Sequence, residues 1–258
     1  MLFALSKRMR RNTMKKINAV WEKRNLGISC VELEIAEQDP IEAIEEELKK
    51  LSADYMVVKA PIGRFDIYQI LKECGFSYIE TMFQIEKKIE ESLLKPHHQI
   101  LAEDMTYKID EPESLSRVID EINRGMFTTD RISLDPFFSQ EQVNKRYIGM
   151  IQDELDRGAE LMEFYYRSVP FGFACFRRKS DDLYYQCLTG LYHDERGKGK
   201  GFALAYLPNK ELLQRGVKRL SGAVSTNNTA SLQAHLKIGF YPVETSYTFV
   251  KHSSVAKI

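Results

Sequence analysis

The sequence is poor in the residues that most often advertise a metal site, a disulfide scaffold or a membrane span. It has four cysteines, one tryptophan and five histidines in 258 residues. Cys30, Cys74, Cys175 and Cys187 lie far apart, with no Cys-x-x-Cys pair and no His at metal-ligand spacing, so no metal site is expected. Three of them, Cys30, Cys175 and Cys187, sit inside apolar or alternating runs, as buried thiols do in a reducing cytosol. No apolar run reaches the roughly 18 residues a spanning helix needs, and the expectation is a cytoplasmic protein without a membrane partner. Net charge is also missing. With 37 basic and 37 acidic side chains, the chain lacks the excess of cations that phosphate-backbone binding rests on, so no nucleic-acid partner is expected. Hydrophobic residues at 43% and charged residues at 29% exclude a disordered or collagen-like chain. The length suits one large domain or two ordinary ones.

Charge is uneven at the start. Residues 1–24 hold eight basic side chains against one acid, Glu22, a pattern open to a transit peptide or a membrane-surface arm. A secretory signal does not fit, because the charges follow the short apolar stretch Leu2–Leu5. Met14-Lys15-Lys16-Ile17 reads as a natural start, so residues 1–13 are expected to be a flexible extension.

Beyond Trp21 the hydrophobic period switches repeatedly between two and 3.6 residues. Strands are expected at 28–35, 55–58 and 76–85, with helices at 40–51 and 64–74, the second stopped by Gly75. Lys87–Pro96 reads as a charged linker followed by His97-His98, which divides the chain into domains 14–96 and 97–258. The second half offers a strand at 105–109, a helix opened by Pro112 and a helix at 140–155. Three strands follow at 160–166, 171–177 and 183–192, an antiparallel meander with a turn at Val169-Pro170. A glycine loop comes next, then a helix at 202–215 kinked at Pro208, a strand at 220–225, a helix at 230–238 and a closing hairpin at 241–250. Gly75-Phe76 and Gly239-Phe240 end helices at matching places, a hint of an internal repeat.

Chemistry concentrates in Arg196-Gly197-Lys198-Gly199-Lys200-Gly201, between a strand and a helix. Glycines leave the backbone N–H groups unobstructed, and at a helix N-terminus these groups and the helix dipole attract a phosphate or pyrophosphate. The Walker spacing is absent, and the dinucleotide-binding spacing fails because the loop follows an antiparallel meander.

Arg196-x-x-Gly199-x-Gly201 resembles the Arg/Gln-x-x-Gly-x-Gly/Ala signature of the GNAT superfamily of N-acetyltransferases. Asn228-Thr-Ala-Ser-Leu-Gln-Ala-His-Leu-Lys-Ile-Gly239-Phe240 is similar to its second signature, with Ser231 in place of the usual Ala and His235 in place of the usual Tyr. The resemblance spans about residues 100–252. The whole chain also resembles the two-domain TDP-fucosamine acetyltransferase type, through Trp21-Glu22, Cys74–Glu80 and Phe127 with Arg131. It implies an α+β GNAT fold, a mixed and mostly antiparallel sheet flanked by helices, preceded by a smaller truncated GNAT-like α/β domain.

The implied donor is acetyl-CoA, a cosubstrate, with its pantetheine pairing near Leu191 and its pyrophosphate on the amides of Gly197, Lys198, Gly199, Lys200 and Gly201. Arg196 and Lys198 add charge. Asn228 holds the pantetheine arm or caps the following helix. A strand N–H near Thr189–Leu191 stabilises the oxyanion formed when an amine attacks the thioester. His235 stands where the acid that protonates the thiolate is found, and three readings remain open: a general acid, a silent contact with water or Tyr206, Tyr241 or Tyr247 supplying the proton, or a packing residue. For the base, Glu163, Gln186, Asp130 and Asp135 are the candidates, Gln186 only by orienting a water. Arg131 is the candidate for an acceptor phosphate or carboxylate. The expected activity is acetylation of a primary amine of a small molecule, an amino-sugar nucleotide being one acceptor. A peptide, lysine or polyamine acceptor, or a non-catalytic CoA-binding module, are the alternatives, and homodimerisation stays open.

Overall fold

A computed structural model describes residues 13–91 and 94–253. The extension expected at 1–13 lies, apart from Thr13, outside the described residues. In chain order the first elements are β1 (Lys15–Asn18), α1 (Val20–Leu26), β2 (Cys30–Glu34), α2 (Ile41–Lys49), β3 (Tyr55–Pro61), α3 (Phe65–Glu73) and β4 (Ser77–Lys88). Then come α4 (Pro96–Glu103), β5 (Met105–Ile109), α5 (Ser114–Asn123), α6 (Arg131–Leu134), α7 (Gln140–Asp156), β6 (Glu160–Tyr166), β7 (Val169–Ser180) and β8 (Leu183–Leu191). Short 3-10 turns at His193–Glu195 and Lys200–Phe202 lead into α8 (Ala203–Gln214), β9 (Arg219–Ser225), α9 (Thr229–Lys237) and β10 (Tyr241–His252).

The chain forms two compact units, one of residues up to Thr81 with those from Thr245, the other Met82–Glu244. The sequence suggested a division at residue 96; the chain instead changes unit inside β4 and again inside β10. Strand pairing is the reason. From Ser246 onward β10 pairs antiparallel with β3, and from Met82 onward β4 pairs antiparallel with β9.

In the first unit the strand order is β1-β2-β3-β10, with β2 and β3 parallel. Leu33, Val58, Phe249 and the apolar stripes of α2 and α3 (Ile44, Leu48, Ile67, Leu71) close its core. The second unit has the order β4-β9-β8-β7-β6-β5, and β8 with β9 is its parallel pair. Phe164, Phe171, Ala174 and Phe176 pack there against Ala203, Leu207 and Leu212 of α8. α7 is held by a capping box, in which Ser139 accepts from the Gln142 amide and Gln142 reaches back to Ser139.

The repeat hinted at by the two Gly-Phe pairs extends through both units. A parallel strand–helix–strand, β2-α2-β3 or β8-α8-β9, is followed by a helix that ends in the same way. Gly75 and Gly239 take φ of 80° and 95°. The Gly75 amide donates to Lys72 O and the Phe76 amide to Leu71 O; Gly239 and Phe240 donate to Leu236 O and His235 O. Both ends are Schellman motifs, with Phe76 and Phe240 buried as their hydrophobic anchors. Each is also capped by a lysine from the antiparallel strand. Lys251 of β10 donates to Cys74 O at 2.7 Å, and Lys87 of β4 donates to Ile238 O at 2.6 Å. A cation at a helix C-terminus meets both the open carbonyl and the negative end of the dipole.

Several local expectations are corrected. β10 is one strand and not a hairpin, because it continues straight along β3 as far as His252. The β6–β7 turn lies at Arg167-Ser168, both at positive φ as a tight two-residue hairpin requires, and Val169 and Pro170 already belong to β7. Lys87 is a buried strand residue rather than part of a linker, and Pro96 opens α4 at its first position. α8 runs through Pro208 without a break.

The glycine ends yield the first expected outcome. A Cβ at Gly75 meets nothing closer than Lys251 Cε at 3.8 Å, so its cost is conformational. Gly75→Ala and Gly239→Ala should each lower the unfolding free energy by about 1–2 kcal/mol in urea titration, and an unchanged midpoint would contradict the left-handed assignment.

Candidate functional site

β8 and β9 pair only from Leu183 opposite Arg219 to Gln186 opposite Gly222. Beyond that point β8 continues to Leu191 and β9 to Ser225 without further pairing between them. The cause is visible in the antiparallel partner: Phe176 faces Gln186 while Cys175 faces Leu188, so Cys187 is an extra residue, a bulge in β8. The β8 edge from Cys187 to Leu191 therefore has no strand on the β9 side. At the vertex Gln186 donates its Nε2 to Leu204 O at 3.2 Å, while its buried Oε1 has no partner among the described residues. In the first unit the equivalent strands stay paired through Glu34 and Lys59, and the Ile35 amide extends the ladder to Lys59 O.

The glycine loop follows β8. Gly197 and Gly199 take φ of 75° and 77°, and a Cβ on Gly197, Gly199 or Gly201 would meet nothing within 4 Å. Among the described residues the amides of Gly197, Lys198 and Gly199 have no hydrogen-bond acceptor. They form an exposed row of donors ahead of the turn that opens α8, a cradle for an anion. The cations divide differently from expectation. Lys200 is buried, bonds to Glu195 and lies 4.5 Å from the Tyr166 ring centroid. Lys198 reaches the other Glu195 oxygen at 3.1 Å. Arg196 donates to Met126 O at 2.8 Å, tying the loop to the turn after α5. That tie is reinforced by the His193 amide, which donates to Glu121, and by Arg124, which pairs with Glu121 and Asp194.

Two glycines allow close contacts at the end of β8. A Cβ on Gly190 would lie 2.4 Å from Met126 Sδ, and one on Gly172 would lie 2.7 Å from Gly190 O. The end of β8 is thus bare on the side where the turn after α5 crosses it.

Of the four base candidates, Glu163 is fully buried. Its carboxylate accepts from Ser114, Arg117, Tyr165 and Tyr192, with Tyr192 Oη at 2.5 Å. Burial opposes its ionisation, but Arg117 and the three hydroxyl donors prevail and hold its pKa down at about 2. A group so fully bonded is a girder joining α5, β6 and the end of β8, not a proton acceptor. Asp130 caps α6 through the Ser133 amide and pairs with Arg146 at 3.1 Å. Despite burial, Arg146 and Ser133 keep its carboxyl below the usual range. Asp135 accepts from the Phe137 amide. Arg131, expected at an acceptor phosphate, is buried to 9% exposure at the start of α6, where its charge helps hold Asp130 ionised.

His235 is 5% exposed and packs edge-on to Phe240, with centroids 5.0 Å apart. Its Nδ1 lies 2.8 Å from Ser231 O, which makes Nδ1 the protonated nitrogen. Burial pushes its pKa below the ordinary value, the Ser231 contact only partly opposing this. A neutral imidazole is a poor acid at neutral pH, so the geometry favours the packing reading. Asn228 caps α9, its Oδ1 accepting from the Ser231 amide at 3.1 Å. Tyr206 is half-buried against Phe202, and Tyr241 is exposed. The structure thus brings Leu191, the loop and the open β8 edge into one sequence of contacts, and buries Arg131 and His235. The Glu163 network and the Glu195 clasp escaped the sequence reading, since neither has a local motif. Among the described residues no group of three His, Cys, Asp or Glu is placed to hold a metal, and no helix is long and apolar enough to cross a membrane.

No protein-family model matches the chain, and no curated protein matches its sequence. Solved structures do match. A GCN5-related N-acetyltransferase from Sphaerobacter thermophilus aligns with a TM-score of 0.61 at 12% identity, over 93% of this chain and 76% of that one. A tandem GNAT protein from the clavulanic acid biosynthesis pathway aligns at 0.54 and 11% identity, over 87% and 77%. The glucosamine N-acetyltransferase region of a fungal multi-domain β-N-acetylglucosaminidase aligns at 0.59 and 11% identity, over 86% of this chain and 30% of that one. The fold is therefore the GNAT fold, α+β with a mixed sheet flanked by helices.

Two outcomes follow from this geometry. Glu163 has a lowered folded pKa, so its contribution is complete above its ordinary value of 4.5 and is lost as pH falls towards about 2. Glu163→Gln should cost about 3–5 kcal/mol at pH 7 and flatten the acid limb of the stability profile; an acid limb like the parent's would exclude the network. Separately, Gly190→Ala should destabilise the protein through its clash with Met126, and Met126→Ala should restore part of the loss. Additive effects in this double-mutant cycle would show that the two residues do not touch.

Proposed function

We propose that the chain is an acetyl-CoA-dependent N-acetyltransferase acting on a primary amine of a small molecule. The observation that carries this reading is the unpaired β8 edge leading into a glycine loop with free amides. CoA has a matching chemical order: an amide-bearing pantetheine arm, then a pyrophosphate. The edge from Cys187 to Leu191 offers backbone donors and acceptors to the arm, and Gln186 Oε1 offers a buried acceptor at the vertex. The amides of Gly197, Lys198 and Gly199 face the pyrophosphate, and Lys198 exchanges part of its bond to Glu195 for it. Acetyl-CoA supplies an activated acetyl thioester. The chain's own contribution is orientation, with strand N–H groups at Thr189–Leu191 set in place before charge develops on the carbonyl oxygen.

Glu163, Asp130 and His235 are all committed to structural bonds, so proton transfer falls to solvent at the open edge or to one of the candidate tyrosines. The acceptor reading follows from the same shape: an open cleft suits an amine that arrives already neutral or loses its proton to water. An amino-sugar nucleotide is the favoured acceptor, supported by the residues shared with the TDP-fucosamine type and by the likeness to a glucosamine N-acetyltransferase region. One observation favours the second reading, a non-catalytic CoA-binding module: Glu163, Asp130 and His235 are all held in structural bonds.

Acetyl-CoA binding and thiol release, measured on a panel of amines that includes amino-sugar nucleotides, test the reading. Binding with turnover is expected, and Gly199→Val should weaken binding about tenfold or more through left-handed strain. His235→Phe should leave the pH profile of turnover unshifted. Binding without turnover on any amine selects the second reading, and failure to bind rejects both.

A further inference from the structure

The donor site leaves unused a group of basic side chains in the second unit. Lys95-Pro96-His97-His98 forms the entry to α4. The His98 ring lies flat on Phe202, with centroids 4.2 Å apart and planes 13° from parallel. Phe202 directly follows Gly201, so the first turn of α4 is held against the root of the glycine loop. His97 packs on His98 at 4.1 Å. Lys237, the last residue of α9, lies beside them, since its neighbour Ile238 packs in the same apolar cluster as Phe202 and Leu94; partial burial, together with His97, Lys95 and Lys237, pushes the His98 pKa below its ordinary value.

Lys95, His97 and Lys237 are exposed, and among the described residues none of the group has a carboxylate partner. The lysines inside the loop contrast with them, since both are clasped by Glu195. Like charges crowded without a counter-ion repel one another, and an anion between them relieves that repulsion. CoA carries, besides its pyrophosphate, a phosphomonoester on the 3′ oxygen of its ribose. A monoester dianion is suited to point cations on flexible stems, whereas the pyrophosphate is suited to the fixed row of amides.

We propose that Lys95, His97 and Lys237, grouped around the His98–Phe202 stack, form a second anion subsite that takes the 3′-phosphate of CoA. The inference rests on the reading of the glycine loop as the pyrophosphate site. It assigns helix α4 a role in donor choice, discriminating CoA from pantetheine carriers that lack this phosphate.

The test is calorimetric titration of the full chain with CoA and with 3′-dephospho-CoA. The parent should bind CoA about tenfold more tightly than the dephospho form, with the gap narrowing as salt is raised. The triple variant Lys95→Ala, His97→Ala, Lys237→Ala should bind both at the parent's dephospho-CoA level. His98→Phe, which keeps the stack, should retain the preference. Equal binding of the two ligands by the parent, or a preference that survives in the triple variant, overturns the subsite while leaving the loop reading intact. Binding of neither ligand rejects the loop reading, and the subsite with it.

Discussion

The end of hydrogen bonding between β8 and β9 is the constraint on which the rest of the site depends. A β-strand edge carries a donor and an acceptor that must find partners or water. One extra residue, Cys187, breaks the register of β8 against β7, and the strand departs from β9 just beyond Gln186 and Gly222. The backbone groups on the β9 side of Cys187 to Leu191 are thereby left without a strand partner, beside a loop whose own amides are also free. In the first unit the same parallel strand pair, built without a bulge, stays closed, and Lys59 reaches from β3 to Glu32 and Glu34 of β2. One topology thus yields a closed sheet in one unit and an open edge in the other, and the difference is a single inserted residue.

Keeping that edge open requires rigidity around it. Glu163 joins α5, β6 and the residue after β8 through donors that leave its carboxylate no freedom. Arg196, Glu121 and Asp194 bind the start of the loop to the C-terminal end of α5. Gly190 removes the side chain that would hold Met126 away, and Gly172 the one that would collide with the Gly190 carbonyl. The residues that look most chemical in isolation, Glu163, Asp130 and His235, are thus spent on preorganisation. That division of labour is physically reasonable for an acyl transfer in which fixed backbone dipoles supply the main electrostatic stabilisation.

The internal repeat shows how far physical equivalence can outlast sequence likeness. The two Gly-Phe helix ends share a Schellman motif, a buried phenylalanine and a lysine on the carbonyl before the glycine. In each unit that lysine comes from a distant part of the chain, 177 and 151 residues from the carbonyl it caps. A lysine whose nearest chemistry lies so far along the chain is unreadable as a cap from local sequence. Lys87 looked like the start of a charged linker for that reason.

Local features of the fold are legible in the sequence. The alternation of β2, the glycine stops after α3 and α9, the meander of β6 to β8 and the loop at 196–201 all follow from backbone preferences acting over a few residues. The two spaced signatures were enough to expect the GNAT fold. Side-chain roles behaved differently. Arg131 and His235 are of residue types common at active sites, and only the packing of α6 and α9 decided that both are buried. Lys200 stands in the loop motif as a cation for phosphate, yet it turns inward to Glu195, while His98, just beyond the supposed linker, stacks on Phe202. By itself, then, the sequence determined the order of elements and the glycine loop, because turns, periodicity and glycine φ are local properties. The unit boundaries, the open β8 edge and the partner of every charge were decided by tertiary structure, because each depends on residues brought together from remote parts of the chain.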